Sequence, residues 1–276
     1  MDGLLHKAVE FKGFRRIVGP DNSPLKFIEF GRLRLGEGER WSVKFEEREA
    51  VLYILGGRCD IEADGRRFHN LGQRKNPFSG LPTALFLPPG SMCSITALQD
   101  LDMAVCTAPS EARGQGPSLI TPDMCKVTSV GAFNWRREVR TVVGPEVPAS
   151  RLLVGETLNP PGNWSSYPPH KHDTKSEGEA PLEEVYFFLV DPPQGFGIIR
   201  IYTPEGDPEP LDEVFVVENG DTVVIPRGYH PVAVAPGYTL LYLWVLAGEE
   251  RAYGAWTDDP HHAWVRGAEA ILREAL

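Results

Sequence analysis

"SSYPPHKHDTKSEGEAPLEEVYFFLV", Ser165 to Val190, places two histidines one residue apart, ahead of an aromatic run that opens on two glutamates. In an extended chain residues i and i+2 point to the same face, so His170 and His172 present both imidazoles to one point while Lys171 points away. Glu184 begins the next strand, "EVYFFL". After an antiparallel reversal its carboxylate faces the histidine pair across one strand spacing, about 4.8 Å. Further along, "TVVIPRGYH" ends on His230, which follows a turn and closes the same point from a third strand. Three neutral imidazoles and one carboxylate suit a divalent first-row metal and leave coordination positions open for water or substrate, a catalytic rather than a closed structural arrangement.

Around this stretch the apolar pattern repeats every second residue. "KFIEFGRLRL", "AVLYILGGRCDIEA", "RLLVGETL" and "FGIIRIYT" are short, rich in β-branched and aromatic residues, and cut by Gly, Pro and Asn, an all-β signature. Asn219-Gly220 and Pro236-Gly237 are turn signals, because glycine supplies the positive φ of a tight turn. "GAEAILREAL" at the C-terminus is the best helix candidate, and "APSEARGQGPSLITPD", Ala108 to Asp123, reads as a linker that divides the chain nearly in half.

The two halves resemble each other. Trp41-Ser42 matches Trp164-Ser165, Glu49 matches Glu184, and "ALFLPPGSM" matches "TVVIPRGYH". Duplication of one β unit follows. The second copy carries His170, His172 and His230, whereas the first has no histidine in the corresponding stretch and puts Met92 where His230 falls. The expected organisation is a metal-free unit over residues 1–115 and a metal-binding unit over 116–276.

Bulk properties limit the partners. The chain has 276 residues, 42% of them hydrophobic, enough for a real core, and its formal net charge of -10 repels phosphate backbones and anionic lipid surfaces. No nucleic-acid role is expected, and no membrane role, since no stretch approaches the roughly 20 apolar residues of a span. "MDGLLHKAVEFKGFRR" has no signal-peptide core, so a cytoplasmic location is expected. Cys59, Cys93, Cys106 and Cys125 show no CxxC spacing and read as buried free thiols.

The succession HxH, a glutamate opening a strand, then PxG and a histidine resembles the two-part motif of the cupin barrel. It departs in having one residue between Gly228 and His230 where the usual pattern has two. The segments "NWSSYPPHKHD", "LEEVYFFLV", "GFGIIRIYT", "GDTVVIPRGYHPVAVAPGYTLLYLWVLAG" and "DDPHHAW" are more specifically similar to the 5-deoxy-glucuronate isomerases of bacterial myo-inositol catabolism, a two-cupin family related to the uronate isomerases of pectin breakdown. The resemblance covers essentially the whole chain. It implies an all-β bicupin fold, two tandem cupin-type β-barrels with a short C-terminal helix, and one divalent metal ion. Zinc is the expected metal, with manganese, iron and nickel compatible. Its ligands would be His170, His172, Glu184 and His230; Glu177, Glu179 and Glu183 compete with Glu184, which is preferred because it starts the strand and matches Glu49 in the internal repeat.

The implied reaction is an aldose-ketose isomerisation of 5-deoxy-D-glucuronate to 5-dehydro-2-deoxy-D-gluconate through a metal-stabilised enediolate. A base must carry the proton, and Glu183, Lys171 and Tyr229 are the candidates, with Glu179 or a metal-bound hydroxide beside them. Arg200 and Arg227 are candidates for the substrate carboxylate, with Tyr202, Asp259 and Trp264 as pocket walls and His261 and His262 as rim residues. The partner is a small sugar acid; a homo-oligomer is compatible with the sequence. Three other readings share these features: the uronate isomerase, a cupin dioxygenase with an iron site of the same ligands, and a sugar-binding cupin without catalysis.

Overall fold

A computed structural model describes residues 3–112 and 116–274. Apart from two single turns of 3-10 helix and one α-helix, Val265–Glu274, its regular elements are strands, and every strand pairing is antiparallel. The first barrel sets a six-stranded sheet, with Arg48–Gly56 and Leu101–Pro109 at its centre, against a four-stranded one that includes Cys59–Ala63 and Met92–Ala97. In the second barrel a seven-stranded sheet, centred on Glu183–Asp191, Thr239–Ala247 and Leu153–Asn159, is accompanied by the four-stranded sheet Trp164–Ser165, Val232–Val234, Phe196–Tyr202 and Asp212–Glu218.

Alternation along Arg48–Gly56 shows how the layers are built. Ala50, Leu52 and Ile54 point into the first barrel, whereas Val51, Tyr53 and Leu55 point out of it into a second core shared with Val185, Phe187 and Leu189. The two large sheets therefore pack back to back, which is why these strands read as unbroken apolar runs rather than as alternating ones. Leu5–His6 adds a strand to the edge of the second barrel, beside Thr222–Ile225, and Ser118–Ile120 still belongs to the first, beside Thr83–Leu87. The chain thus changes barrel between Ile120 and Lys126, after a stretch expected to be linker alone. The boundary expected at residue 115 falls at 113–115, outside the described residues.

Register refines the internal repeat. Ala50 lies opposite Leu87, just before Pro88, and Glu184 lies opposite Ile225, just before Pro226. Glu184 therefore corresponds to Ala50, and the partner of Glu49 is Glu183, one residue from the sequence match. Chemistry agrees with register. Glu49 accepts the N–H groups of Ser150, Arg151 and Leu152 at 2.7–2.8 Å, and Glu183 accepts those of Lys26, Phe27 and Ile28 at 2.6–2.7 Å. Each barrel clamps a turn of the other with one carboxylate.

Between the sheets lies Glu156, fully buried, which accepts hydrogen bonds from Tyr53 and Arg74 of the first barrel and from Arg140 of the second, the shortest from each at 2.7 Å. All four cysteines are buried and unpaired. Burial pushes the Cys59 and Cys93 thiols up to about 12 and Cys125 to about 11, so they behave as packing residues. No helix among the described residues is long and apolar enough to cross a membrane.

Candidate metal centre

The interiors of the two barrels differ at matched positions. Where the first has Ala50, Leu52 and Ile54, the second has Glu184, Tyr186 and Phe188. The first interior is filled with aliphatic side chains, and the second keeps polar groups facing inward.

Three elements deliver the imidazoles. His170 lies on the short strand His170–Lys171, held by Thr257–Asp258, with the N–H of Asp259 donating to Pro169 O at 2.8 Å. His172 follows it. His230 leaves a turn at Gly228, whose φ of +86° and approach to the Tyr202 carbonyl, 2.5 Å from where a Cβ would sit, admit only glycine without strain. The histidine ring nitrogens lie within 4.8 Å of one another. Oε2 of Glu184 is 3.1 Å from His172 Nε2 and 3.3 Å from His230 Nε2.

The far side of two of the rings fixes their tautomers. His172 Nδ1 donates to Leu182 O at 2.8 Å and His230 Nδ1 to Gly228 O at 2.9 Å, because a carbonyl can only accept. Both Nε2 atoms then turn inward, as metal-ligating imidazoles do when a backbone carbonyl orients them. Burial, reinforced by His230 and His172, drives the His170 pKa well below its usual range, and burial holds His230 down to about 4. Burial opposes the charged form of His172 as well, but the hydrogen bond to Glu184 prevails and raises its pKa. His170 Nδ1 and His230 Nε2 are buried without a hydrogen-bond partner, an arrangement that costs about 1–3 kcal/mol per atom unless something fills it. A divalent cation fits: three imidazoles and one carboxylate surround a common point, with Nε2 of His230 otherwise idle.

Other inward groups were not singled out from the sequence. Tyr186, two residues after Glu184, stacks its ring edge on His230 at 5.8 Å, and its hydroxyl is 3.2 Å from Ser166 Oγ, which also reaches Tyr242 at 3.5 Å. Trp256 covers His170 at 5.4 Å. The period-two pattern from Glu184 was the signal for Tyr186; Ser166, Tyr242 and Trp256 had none.

The expected base and substrate residues point elsewhere. Glu183 is the inter-barrel clamp described above, since neighbouring strand residues face opposite sides. Lys171 Nζ is held by Asp173, Thr174 and Glu179 at 2.6–2.9 Å. Tyr229 packs on Tyr202, ring centroids 5.1 Å apart, outside His230. Along Phe196–Tyr202 the buried residues are Gly197, Ile199 and Ile201, so Arg200 and Tyr202 face outward; Arg200 pairs with Asp212 at 2.7 Å and Tyr202 donates to Asp259 at 2.6 Å. Asp259 is thereby a brace for the strap over His170, and Arg227 is bound to Asp207 at 2.9 Å. Trp264 is 69% exposed, beyond the pocket. His262 packs on Tyr167 at 6.2 Å, while His261 donates its backbone N–H to Asp259 at 2.9 Å.

Glu183→Ala is accordingly expected to lower stability by about 2–3 kcal/mol, the worth of hydrogen bonds to a charged acceptor, with metal content retained. Denaturant unfolding and elemental analysis check it. A variant of unchanged stability and lost turnover would restore Glu183 as the base.

The chain is similar over most of its length to proteins of known name or structure. A 5-deoxy-glucuronate isomerase of Geobacillus thermodenitrificans is 38% identical over 260 residues, 93% of each chain. That of Bacillus subtilis strain 168 is 36% identical over 252 residues, 90% of this chain and 91% of its own. The crystal structure of an IolB-like protein of Salmonella typhimurium LT2 superposes with a TM-score of 0.90 at 35% identity, over 95% of this chain and 99% of that one. Oxalate decarboxylase of Lactobacillus farciminis, TM-score 0.66 at 13% identity over 94% of this chain and 89% of its own, shares the fold. With residues 6–265 matching the model of the KduI/IolB family, the chain belongs to that family.

Proposed function

We propose that the protein is a 5-deoxy-glucuronate isomerase, an aldose-ketose isomerase whose divalent metal, zinc by preference, is held by His170, His172, Glu184 and His230. The observation that carries the reading is the buried cluster of three imidazoles and one carboxylate with two idle nitrogens, in a chain whose relatives bear that name. A divalent metal supplies Lewis-acid stabilisation of negative charge on the substrate's C1 and C2 oxygens. The protein supplies the remainder. Net reaction moves one hydrogen from C2 to C1 and one hydroxyl proton from O2 to O1, so a proton carrier must reach both carbons. Tyr186, Ser166 and Tyr242 form a hydroxyl array on the barrel interior. Burial keeps the Tyr186 pKa well above its usual value, so this phenol stays protonated and donates. Trp256 shields the cluster from water on the His170 side.

The test is product analysis under anaerobic conditions in deuterated water, with zinc- or manganese-loaded protein and 5-deoxy-glucuronate. The expected product is the 2-deoxy ketose acid with some deuterium on the hydroxymethyl carbon that was C1 of the substrate. An oxidised or cleaved product, or turnover that demands oxygen, would exclude isomerase chemistry. Faster turnover of 5-dehydro-4-deoxy-glucuronate would assign the chain to the pectin-linked reaction instead.

A further inference from the structure

We infer that Arg137 binds the carboxylate of the sugar-acid substrate, an inference that rests on the function proposed above and assigns the group that recognises the acid.

Strand Arg137–Val143 runs beside Leu153–Asn159, with Val139 opposite Thr157, and Thr157 opposite Tyr242. Tyr242 reaches Ser166 inside the second barrel. Arg137 and Val139 share a face, so Arg137 belongs to the same interior. It is only 7% exposed, and its Nη1 donates to the carbonyl of Tyr167, three residues before His170.

A guanidinium in such a place ordinarily has a carboxylate partner. Among the described residues Arg137 has none. Its hydrogen bonds run from Nη1 alone, to Trp135 O at 3.2 Å and Tyr167 O at 3.0 Å. Glu269, the carboxylate nearby, spends Oε1 on Gly131 N at 3.1 Å and on Arg273 at 2.9 Å; its Oε2 is buried without a partner, and no hydrogen bond joins it to Arg137. Burial lowers the Arg137 pKa, yet an arginine stays charged across the working range.

Other arginines show what a purely structural one looks like here. Arg251 also bonds only to carbonyls, but it spends Nε, Nη1 and Nη2 on Leu152, Val147 and Gly144. Arg151 spends Nε and Nη1 on carbonyls and lies 4.7 Å over the Phe27 ring. Arg74 and Arg140 share Glu156. Arg137 keeps Nε and Nη2 unengaged, and these form the edge of a guanidinium that takes a carboxylate bidentately. A linear sugar acid has one anionic group, and no other described cation in this interior is without a carboxylate partner.

The experiment compares wild type, Arg137→Lys and Arg137→Gln as zinc-loaded proteins. One readout is the ratio of kcat/KM for 5-deoxy-glucuronate to that for 5-deoxy-glucose, its neutral counterpart with a hydroxymethyl at C6. In Arg137→Gln this ratio should fall by about 100-fold, the effect of removing one partner of a desolvated charge pair, with Arg137→Lys between. Equal losses on both substrates would make Arg137 a structural clamp and overturn the inference, as would a wild type that does not prefer the acid. The second readout is calorimetric binding of D-glucuronate against D-glucose. Uronate binding that depends on Arg137 in a protein that does not isomerise would sink the function and sustain the inference. Isomerisation with unaltered uronate binding in Arg137→Gln would do the reverse. Should Arg137→Gln fail to fold, wild type and Arg137→Lys decide by the same two ratios.

Discussion

His230→Ala is expected to reduce metal affinity by two orders of magnitude or more and to abolish isomerisation, while the chain remains folded. A metal held by few protein ligands depends steeply on each, and binding requires all of them to converge in their deprotonated form. The fold does not depend on the metal in the same way. The shared core between the sheets is aliphatic and aromatic, and the substitution breaks only one hydrogen bond of the ring, from Nδ1 to Gly228 O, since Nε2 makes none. Removing an idle buried nitrogen spares its desolvation cost, which offsets part of the cavity left by the ring. Elemental analysis, circular dichroism and turnover should therefore separate: metal and activity lost, spectrum kept. Chelation of the wild type should reproduce the phenotype, and readdition of zinc should reverse it only in the wild type. A His230→Ala protein that retains one metal per chain and full turnover would show that this histidine merely packs.

The second large effect concerns stability alone. Glu156→Gln is expected to destabilise the protein by about 3–5 kcal/mol, the range found when one partner of a buried ion pair is removed. Two guanidiniums, Arg74 and Arg140, converge on this one carboxylate in a site closed to water, and Tyr53 donates to it as well. Glutamine preserves the volume but cancels the charge that the two guanidiniums share, leaving Arg74 with no carboxylate and Arg140 with Glu138 alone. Denaturant unfolding would register the loss as a lower midpoint. A change below about 1 kcal/mol would mean that water or small shifts satisfy the arginines.

Much of this was legible in the sequence because it was local. Period-two runs identified the strands, "HKH" identified one face of one of them, and Met92 opposite His230 told which copy lacked the site. Parity and register were harder. Glu183 and Glu184 are neighbours with identical side chains, and a slip of one residue moves a strand residue to the opposite face; only the pairing with Ile225 and Leu87 separates clamp from ligand. Arg200 and Tyr202 could have been read correctly, since Ile199 and Ile201 between and before them mark the buried parity. Arg137 carried no signal. It sits in "NWRREVR", far from the histidines in sequence, and its significance lies in the partner it lacks after folding.

The strand Leu5–His6 crosses over to line the second barrel's edge next to Thr222–Ile225, the segment that leads into His230. Open strand edges invite pairing with foreign chains, and Leu5 and His6 occupy this one. The arrangement also makes the second barrel inseparable from the first. Its edge strand, the turn gripped by Glu183 and two of the donors to Glu156 are all supplied by the other half. A shortened chain cut to residues 116–276 would therefore start with an unpaired strand edge and with a Glu156 that keeps Arg140 alone of its three partners.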